Sequence, residues 1–193
     1  MISAILLAAG ESRRMGRLKQ LLPFGSTTVM ETCLENLLNS NVDEVIVVLG
    51  HRSEEIQAHI QHLPVNIVIN ESYREGMSSS VKRGVQTVSP KAQAVLIALV
   101  DQPLITPNII NRLIEAYYAQ GKRIITPEYE GRDGHPILID LVYRDEILNV
   151  DPHIGLRQVT WAHLDETLRL SVETPAVIQN MNTWEEYQQI LKG

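Results

Sequence analysis

The segment Ala8-Ala9-Gly10-Glu11-Ser12-Arg13-Arg14-Met15-Gly16-Arg17-Leu18-Lys19 carries the residue types that a polyphosphate requires. Gly10 and Gly16 let backbone amides approach a ligand closely, and Ser12 adds a hydroxyl donor. Arg13, Arg14, Arg17 and Lys19 set four positive charges against one negative, Glu11. Such a loop offers hydrogen-bond donors, charge neutralisation and no bulky side chain in the way. The same residues also fit a solvated basic loop with turn glycines, since charge runs commonly face water. A Walker loop needs four residues between its glycines and then Lys with Ser or Thr. Here five separate Gly10 from Gly16, and Arg17 follows. The dinucleotide fingerprint G-x-G-x-x-G is also missing, which argues against hydride transfer.

Other candidates lie further along. Asp101 follows the apolar run Ala94–Val100, which places it at the carboxyl end of a buried strand. An acid there can reach into a crevice and hold Mg²⁺, an ion that takes one or two protein carboxylates when phosphates supply other ligands. It can equally cap the turn into Pro103. Gly76-Met77-Ser78-Ser79-Ser80 precedes the helical stretch Val81–Val88. Its serines can cap the helix or face an anion at the helix amino terminus. His135, between Gly134 and a strand-like run beginning at Pro136, has a structural reading and a ligand-facing one. Asn182, in Asn180-Met181-Asn182-Thr183, can cap the last helix or offer a carbonyl oxygen to a metal. The other histidines show no metal-site spacing. Cys33, the single cysteine, lies on an apolar helical stripe and reads as core.

These side chains need a scaffold, and short apolar runs alternating with amphipathic segments supply one. Ile2–Leu7, Glu44–Leu49, Val65–Ile69, Ala94–Val100, Arg123–Thr126 and Pro136–Ile139 are rich in Val, Ile and Leu. Several are apolar throughout, as in strands covered on both faces. Val29, Cys33 and Leu37 mark a helical stripe, as do Ile109, Leu113 and Tyr117, and Val81 with Val85. Thr106 before Pro107, and Ser53 before Glu54 and Glu55, read as helix starts. Asn182-Thr183-Trp184-Glu185 resembles a capping box, with Trp184, Tyr187 and Leu191 as the buried stripe of the last helix. The alternation predicts an α/β fold with a mostly parallel sheet, whose ligands sit beyond the carboxyl ends of the strands. The stretch 131–155 is less regular. It reads as a subdomain over one edge of the sheet, with an antiparallel strand around Pro136–Ile139.

Length and composition bound the class. At 193 residues the chain suits one domain, and 44% apolar with 21% charged residues fits a globular protein. The 17 Lys and Arg against 23 Asp and Glu, a net −6, argue against a nucleic-acid binder. One cysteine excludes a disulfide framework. The apolar opening Ile2–Ala9 is too short to cross a bilayer and has no basic stretch before it, so a cytoplasmic protein without a membrane partner is expected.

The pattern Leu7-Ala8-Ala9-Gly10-x-Ser12-x-Arg14-Met15-Gly16-x-x-Lys19 resembles the signature of the MobA-like nucleotidyltransferases. The likeness continues, in the family's order, through Leu21-Leu22-Pro23, Gly76-Met77-Ser78-Ser79-Ser80, Asp101-Gln102-Pro103 and Gly134-His135-Pro136. Ala8-Ala9-Gly10 is similar to the molybdenum cofactor cytidylyltransferase branch, whereas the guanylyltransferase branch usually has glycine where Ala9 stands. The resemblance implies a Rossmann-like three-layer sandwich of the nucleotide-diphospho-sugar transferase type, with residues 1–193 as one domain and an acceptor-side region at about 131–155. It implies CTP and molybdopterin as substrates, Mg²⁺ as cofactor and a molybdenum hydroxylase as recipient of the product. Leu7, Ala8, Ala9, Gly10, Ser12, Arg14, Lys19, Ser79 and Ser80 would bind the nucleotide, and Gly134 and His135 the acceptor. Asp101 and Asn182 would hold the metal, although the family often has Asp at the second position. Arg14, Lys19 and Asp101 would carry catalysis. The methyl group of Ala9 is expected to favour a smaller base. The rival readings are transfer from GTP or to another phosphorylated acceptor, and a cofactor-binding maturation factor without catalysis.

Overall fold

The computed structural model describes residues 1–192. β1 (Ile2–Leu7) is buried along its whole length. It leads into a long loop with two short 3-10 turns, Arg13–Met15 and Lys19–Leu21, and then a small hairpin of β2 (Pro23–Phe24) and β3 (Thr27–Thr28). α1 (Val29–Leu38) starts at a capping box in which Thr28 and Glu31 satisfy each other's backbone amides. There follow β4 (Glu44–Leu49), α2 (Ser53–Ile60), β5 (Asn66–Ile69), α3 (Met77–Thr87), β6 (Ala94–Leu99), α4 (Pro107–Gln120) and β7 (Ile124–Tyr129). The chain closes with β8 (Arg132–Asp133), β9 (Ile137–Asp140), α5 (Arg144–Leu148), α6 (Arg157–Ala162), β10 (Thr167–Ser171) and α7 (Trp184–Lys192).

The main sheet has the order β10-β7-β9-β6-β1-β4-β5, with β8 paired to β7. β1 is parallel to β4 and β6, whereas β9 is antiparallel to both β6 and β7. Successive β1 residues feed opposite cores, as the two-residue strand period requires. Leu6 joins a layer with α1, α2 and α4 through Leu34, Ile56 and Ile110. Ile5 joins a second layer with α3, α5 and α6 through Val85, Ile147 and Val159. Helices therefore cover both faces, giving an α/β three-layer sandwich with a mostly parallel mixed sheet. From β1 the chain runs outward to β4 and β5, then crosses back to β6 on the other side of β1. That reversal opens a crevice beyond the carboxyl ends of β1 and β6.

Several expectations change. The antiparallel strand near Pro136 forms, but β9 lies inside the sheet between β6 and β7, not over an edge. Thr106 precedes α4 with Pro107 at its start, yet its hydroxyl makes no capping bond. α2 begins at Ser53 itself, and Arg52, with φ 50°, occupies the cap position. In α7 the buried partner of Tyr187 is Ile190, while Leu191 is 48% exposed. Among the described residues no helix is long and apolar enough to cross a membrane.

Candidate active site

The end of β1 is clamped from both sides. Val100 N donates to Leu7 O (3.2 Å), Ala8 N to Val48 O (2.9 Å) and His51 N to Ala9 O (3.1 Å). Leu7, Ala8 and Ala9 are buried, so the chain emerges at Gly10, which is exposed. Ser12 (φ 53°) and Gly16 (φ 64°) then adopt left-handed conformations around the Arg13–Met15 turn, folding the loop tightly on itself. The fully buried Gln20 holds it shut. Its Nε2 donates to Ala8 O (2.9 Å) and Gly10 O (3.1 Å), and its Oε1 accepts from Ser12 Oγ (3.4 Å). Lys19 N in turn donates to Ser12 Oγ (3.2 Å). Ser12, expected as a donor to the ligand, thus spends its hydroxyl on the loop's own shape. Gln20 escaped the reading of the sequence, where it follows Lys19 with no local mark of its role.

Lys19 is delivered to the other wall of the crevice. Its Nζ donates to Asp101 Oδ2 (2.8 Å) and to Asn182 Oδ1 (3.1 Å). The Lys19 and Asp101 side chains are only 12% and 15% exposed. Asp101 projects from the turn after β6, and its backbone oxygen accepts from Met181 N (2.9 Å). Beside it, Gln102 Nε2 donates to Val177 O (3.1 Å) and Asn180 Oδ1 (2.9 Å). These bonds sew the segment before α7 to the end of β6 and fix Asn182 next to Lys19. The cap of α7 is Thr183, not Asn182. Thr183 Oγ1 accepts from Glu186 N (3.2 Å), and Glu186 Oε2 accepts from Thr183 N (3.0 Å). The box expected at Asn182 is therefore displaced by one residue, which releases the Asn182 side chain into the cleft.

The fit of this corner to a divalent ion can be judged from its oxygens. Asp101 Oδ1 is buried without a hydrogen-bond partner. Such an orphan costs free energy unless something pairs with it. Asn182 Oδ1 lies on the same Lys19 ammonium. Among the described residues no group of three or more His, Cys, Asp or Glu stands together. One carboxylate and one amide oxygen fit a hard cation that takes its remaining ligands from phosphate and water.

An open cleft of ≈ 360 Å³ runs from this corner along the phosphate-type loop, lined by Gly10, Arg14, Lys19 and Asn182 on one side and by Tyr73 and Arg74 on the other. Arg14 is exposed and forms no ion pair among the described residues, so its charge is available to an anion. Ser79 and Ser80 do not line this cleft. Their hydroxyls accept from Asn70 Nδ2 (2.9 and 3.0 Å), and Ser79 Oγ donates to Gly76 O (2.8 Å). They brace the loop that presents Tyr73 and Arg74. Ala9 is nearly enclosed, and its methyl faces Gly50, where an added Cβ would lie 2.9 Å away. Any influence of that methyl on base size passes through this packed junction.

Gly134 and His135 sit at the start of β9. Gly134 N donates to Pro127 O (2.8 Å) and His135 N to Val177 O (2.9 Å). A Cβ on Gly134 would collide with the Val177 carbonyl. Gly134→Ala is therefore expected to destabilise the fold by about 1–3 kcal/mol, as overpacking does, measured by urea unfolding. A midpoint equal to wild type would contradict the close approach.

The His135 imidazole is half-buried. Burial pushes its pKa below the ordinary 6.5, Asp101 pulls it up and Arg157 pushes it down. Below about pH 6.5 the unfolded chain takes up a proton that the folded protein refuses, so stability falls as pH drops through that value towards the folded pKa. His135→Gln is expected to lose less stability than wild type between pH 7 and pH 5, measured by denaturant unfolding across that range. Parallel profiles would remove His135 as the cause.

Residues 4–167 match the MobA-like NTP transferase domain. The chain belongs to the MobA-like NTP transferase family. It is thus an enzyme of the nucleotidyltransferase kind. It is 32% identical, over 83% of its length and 83% of the relative's, to the nicotine blue oxidoreductase of Paenarthrobacter nicotinovorans. It is 30% identical, over 72% of its length and 69% of the relative's, to the molybdenum cofactor cytidylyltransferase of Escherichia coli strain K12. Rv0371c of Mycobacterium tuberculosis H37Rv superposes with a TM-score of 0.89 at 25% identity, covering 100% of this chain and 98% of that one. A manganese complex of Rv0371c, with the same identity and coverage, superposes with a TM-score of 0.84.

Proposed function

We propose that this MobA-like chain transfers CMP from CTP to the terminal phosphate of molybdopterin, releases pyrophosphate and uses Mg²⁺. The observation that carries the reading is the Lys19 ammonium held between Asp101 and Asn182 at the end of an open cationic loop. CTP and molybdopterin rest on the motif resemblance and on the name of the Escherichia coli relative. A molybdenum hydroxylase would receive the product, and the reaction would run in the cytoplasm.

Transfer between phosphates asks the protein for positioning and charge neutralisation more than covalent chemistry. In this reading the amides from Gly10 to Arg14 and the Arg14 guanidinium hold the β and γ phosphates. Ser12 and Gln20 keep that loop in its binding shape before the ligand arrives. Lys19 would turn from Asp101 to the α phosphate and offset the charge that builds on its oxygens. Asp101 and Asn182 would hold Mg²⁺, whose part is to neutralise phosphate charge. Gly134 and His135 border the acceptor. An oxygen of the molybdopterin phosphate forms the new bond to the α phosphorus. The bond from that phosphorus to the β-phosphate oxygen breaks, and its electron pair leaves with pyrophosphate. The attacking phosphate is already ionised at neutral pH, so no strong base is needed.

The test is a panel of CTP, GTP, ATP and UTP with molybdopterin and Mg²⁺, following pyrophosphate and the coupled product. Release with CTP foremost is expected; release with none of them overturns the reading, and release with GTP alone overturns the cytidylyl assignment.

A further inference from the structure

We propose that Arg74 is a further phosphate-binding residue of the nucleotide cleft, and that the Glu11 carboxylate occupies, in the ligand-free protein, the place a phosphate takes between Arg13 and Arg74. The proposal rests on the nucleotide reading above and adds residues to it. Two observations and one comparison of interaction strengths support it.

The first is position. Tyr73 and Arg74 form the wall opposite Gly10 and Arg14, although they come from the loop between β5 and α3. Their placement is built in. Gly50 has no side chain where Tyr73 passes, and a Cβ there would lie 2.6 Å from Tyr73 Cβ. Ser72 N is held by Asn70 Oδ1 (3.1 Å), Glu75 N by Ser72 O (2.9 Å), and Gly76 N by Tyr73 O (3.3 Å). The Arg74 guanidinium lies over the Tyr73 ring, 5.6 Å from its centre. A guanidinium placed over a ring face still directs its N–H donors sideways to an anion.

The second is the arrangement of charge. Glu11 pairs with Arg13 through Oε2 and reaches Arg74 across the cleft through Oε1 (3.5 Å). The carboxylate is the enclosed partner, 18% exposed, while the Arg13 and Arg74 side chains are 80% and 76% exposed. One anion set inward between two outer arginines on opposite walls is the pattern that a bound phosphate would create. Arg13 holds the Glu11 carboxyl below the usual range, so the stand-in is ionised at neutral pH.

The third is strength. Ion pairs exposed to water are weak. Arginine and phosphate form charge-assisted, often bidentate bonds, and a triphosphate brings more charge than one carboxylate. The ligand therefore takes Arg13 and Arg74 from Glu11, and the freed carboxylate turns outward to water. Arg74 binds the phosphate tail and has no part in the bond-making step. Glu11 acts as its competitor, so removing an acid from this site should improve binding.

Isothermal titration with two probes tests this: CTP with Mg²⁺, and inorganic tripolyphosphate, which has no base or sugar. Arg74→Ala is expected to weaken both probes about tenfold, the scale of one lost charged hydrogen bond. Glu11→Gln is expected to tighten both about threefold, and that gain should be smaller in the Arg74→Ala/Glu11→Gln double variant, where only Arg13 is left to be freed. Tripolyphosphate affinity unchanged by Arg74→Ala overturns the proposal. So does Glu11→Gln weakening the probes, since Glu11 would then be a strut that positions the arginines. If wild type binds tripolyphosphate but not CTP, the nucleotide reading fails, while the Arg74 assignment is still decided by the inorganic probe.

Discussion

Lys19→Ala is expected to lower the turnover of CTP and molybdopterin, both saturating, by about 10²–10³, or 2.7–4 kcal/mol, the scale of one lost electrostatic donor at a charged transition state. The magnitude follows from where the ammonium sits. Lys19 is one of four cations in the first loop, but it alone crosses to Asp101 and Asn182. Arg13 and Arg17 are exposed and cannot take its place without rebuilding the loop. Substrate affinity should suffer less than turnover, because the loop's amides and Arg14 still hold the phosphate tail. A fall of less than about tenfold would remove Lys19 from this role. Thermal unfolding of the variant separates the catalytic loss from a structural one, since Lys19→Ala also leaves the Asp101 carboxylate without its partner.

Asp101→Asn is the second large effect. The substitution keeps the side chain's shape and leaves the Gln102 bonds to Val177 and Asn180 in place. It removes the one carboxylate whose Oδ1 is buried and unpartnered. With Asn182 already neutral, no charged oxygen would remain for the ion at this corner. The Mg²⁺ concentration for half-maximal pyrophosphate release is expected to rise by about 10–100-fold, at least the loss seen when a supporting metal-site group is removed. A Mg²⁺ titration that superimposes on wild type would end the assignment of Asp101 to the metal. The two variants are informative together, because Lys19 and Asp101 are in contact. Their effects are expected to be non-additive, as for residues that share one interaction.

The parts of this structure visible in the sequence were those set by burial. β1, β4 and β6 are almost continuous apolar runs because both faces of the sheet are covered, and runs of that kind have sharp ends. β10 was not visible. Thr167–Ser171 is a half-buried edge strand with Arg169 in its middle, so its pattern resembles loop as much as strand. The position of β9 was hidden for another reason. An antiparallel strand carries no local mark of which neighbours it joins.

The site divides along the same line. That Gly10, Arg14, Lys19 and Asp101 come together was legible because their types, at the ends of apolar strands, suit phosphate and metal chemistry. Asn182 had two readings in the sequence, and the structure moves the cap to Thr183 and sets the Asn182 amide oxygen against Lys19. Gln20, Tyr73 and Arg74 went unseen because nothing local distinguishes them. Gln20 matters through two carbonyls upstream of it, and Arg74 through a wall that forms only when β1 and β5 are brought to the same end of the sheet. Ser12, Ser79 and Ser80 show the reverse. Hydroxyls that looked poised for a ligand are used to hold their own loops.

A crystal structure with a non-hydrolysable CTP analogue and Mg²⁺ decides whether the cleft between the Gly10–Lys19 loop and Asp101 is a nucleoside triphosphate site. Expected are the β and γ phosphates on the amides from Gly10 to Arg14, Lys19 Nζ beside the α phosphate, and the ion on Asp101. A nucleotide bound elsewhere on the protein, with Arg14 and Lys19 touching no phosphate, would contradict it.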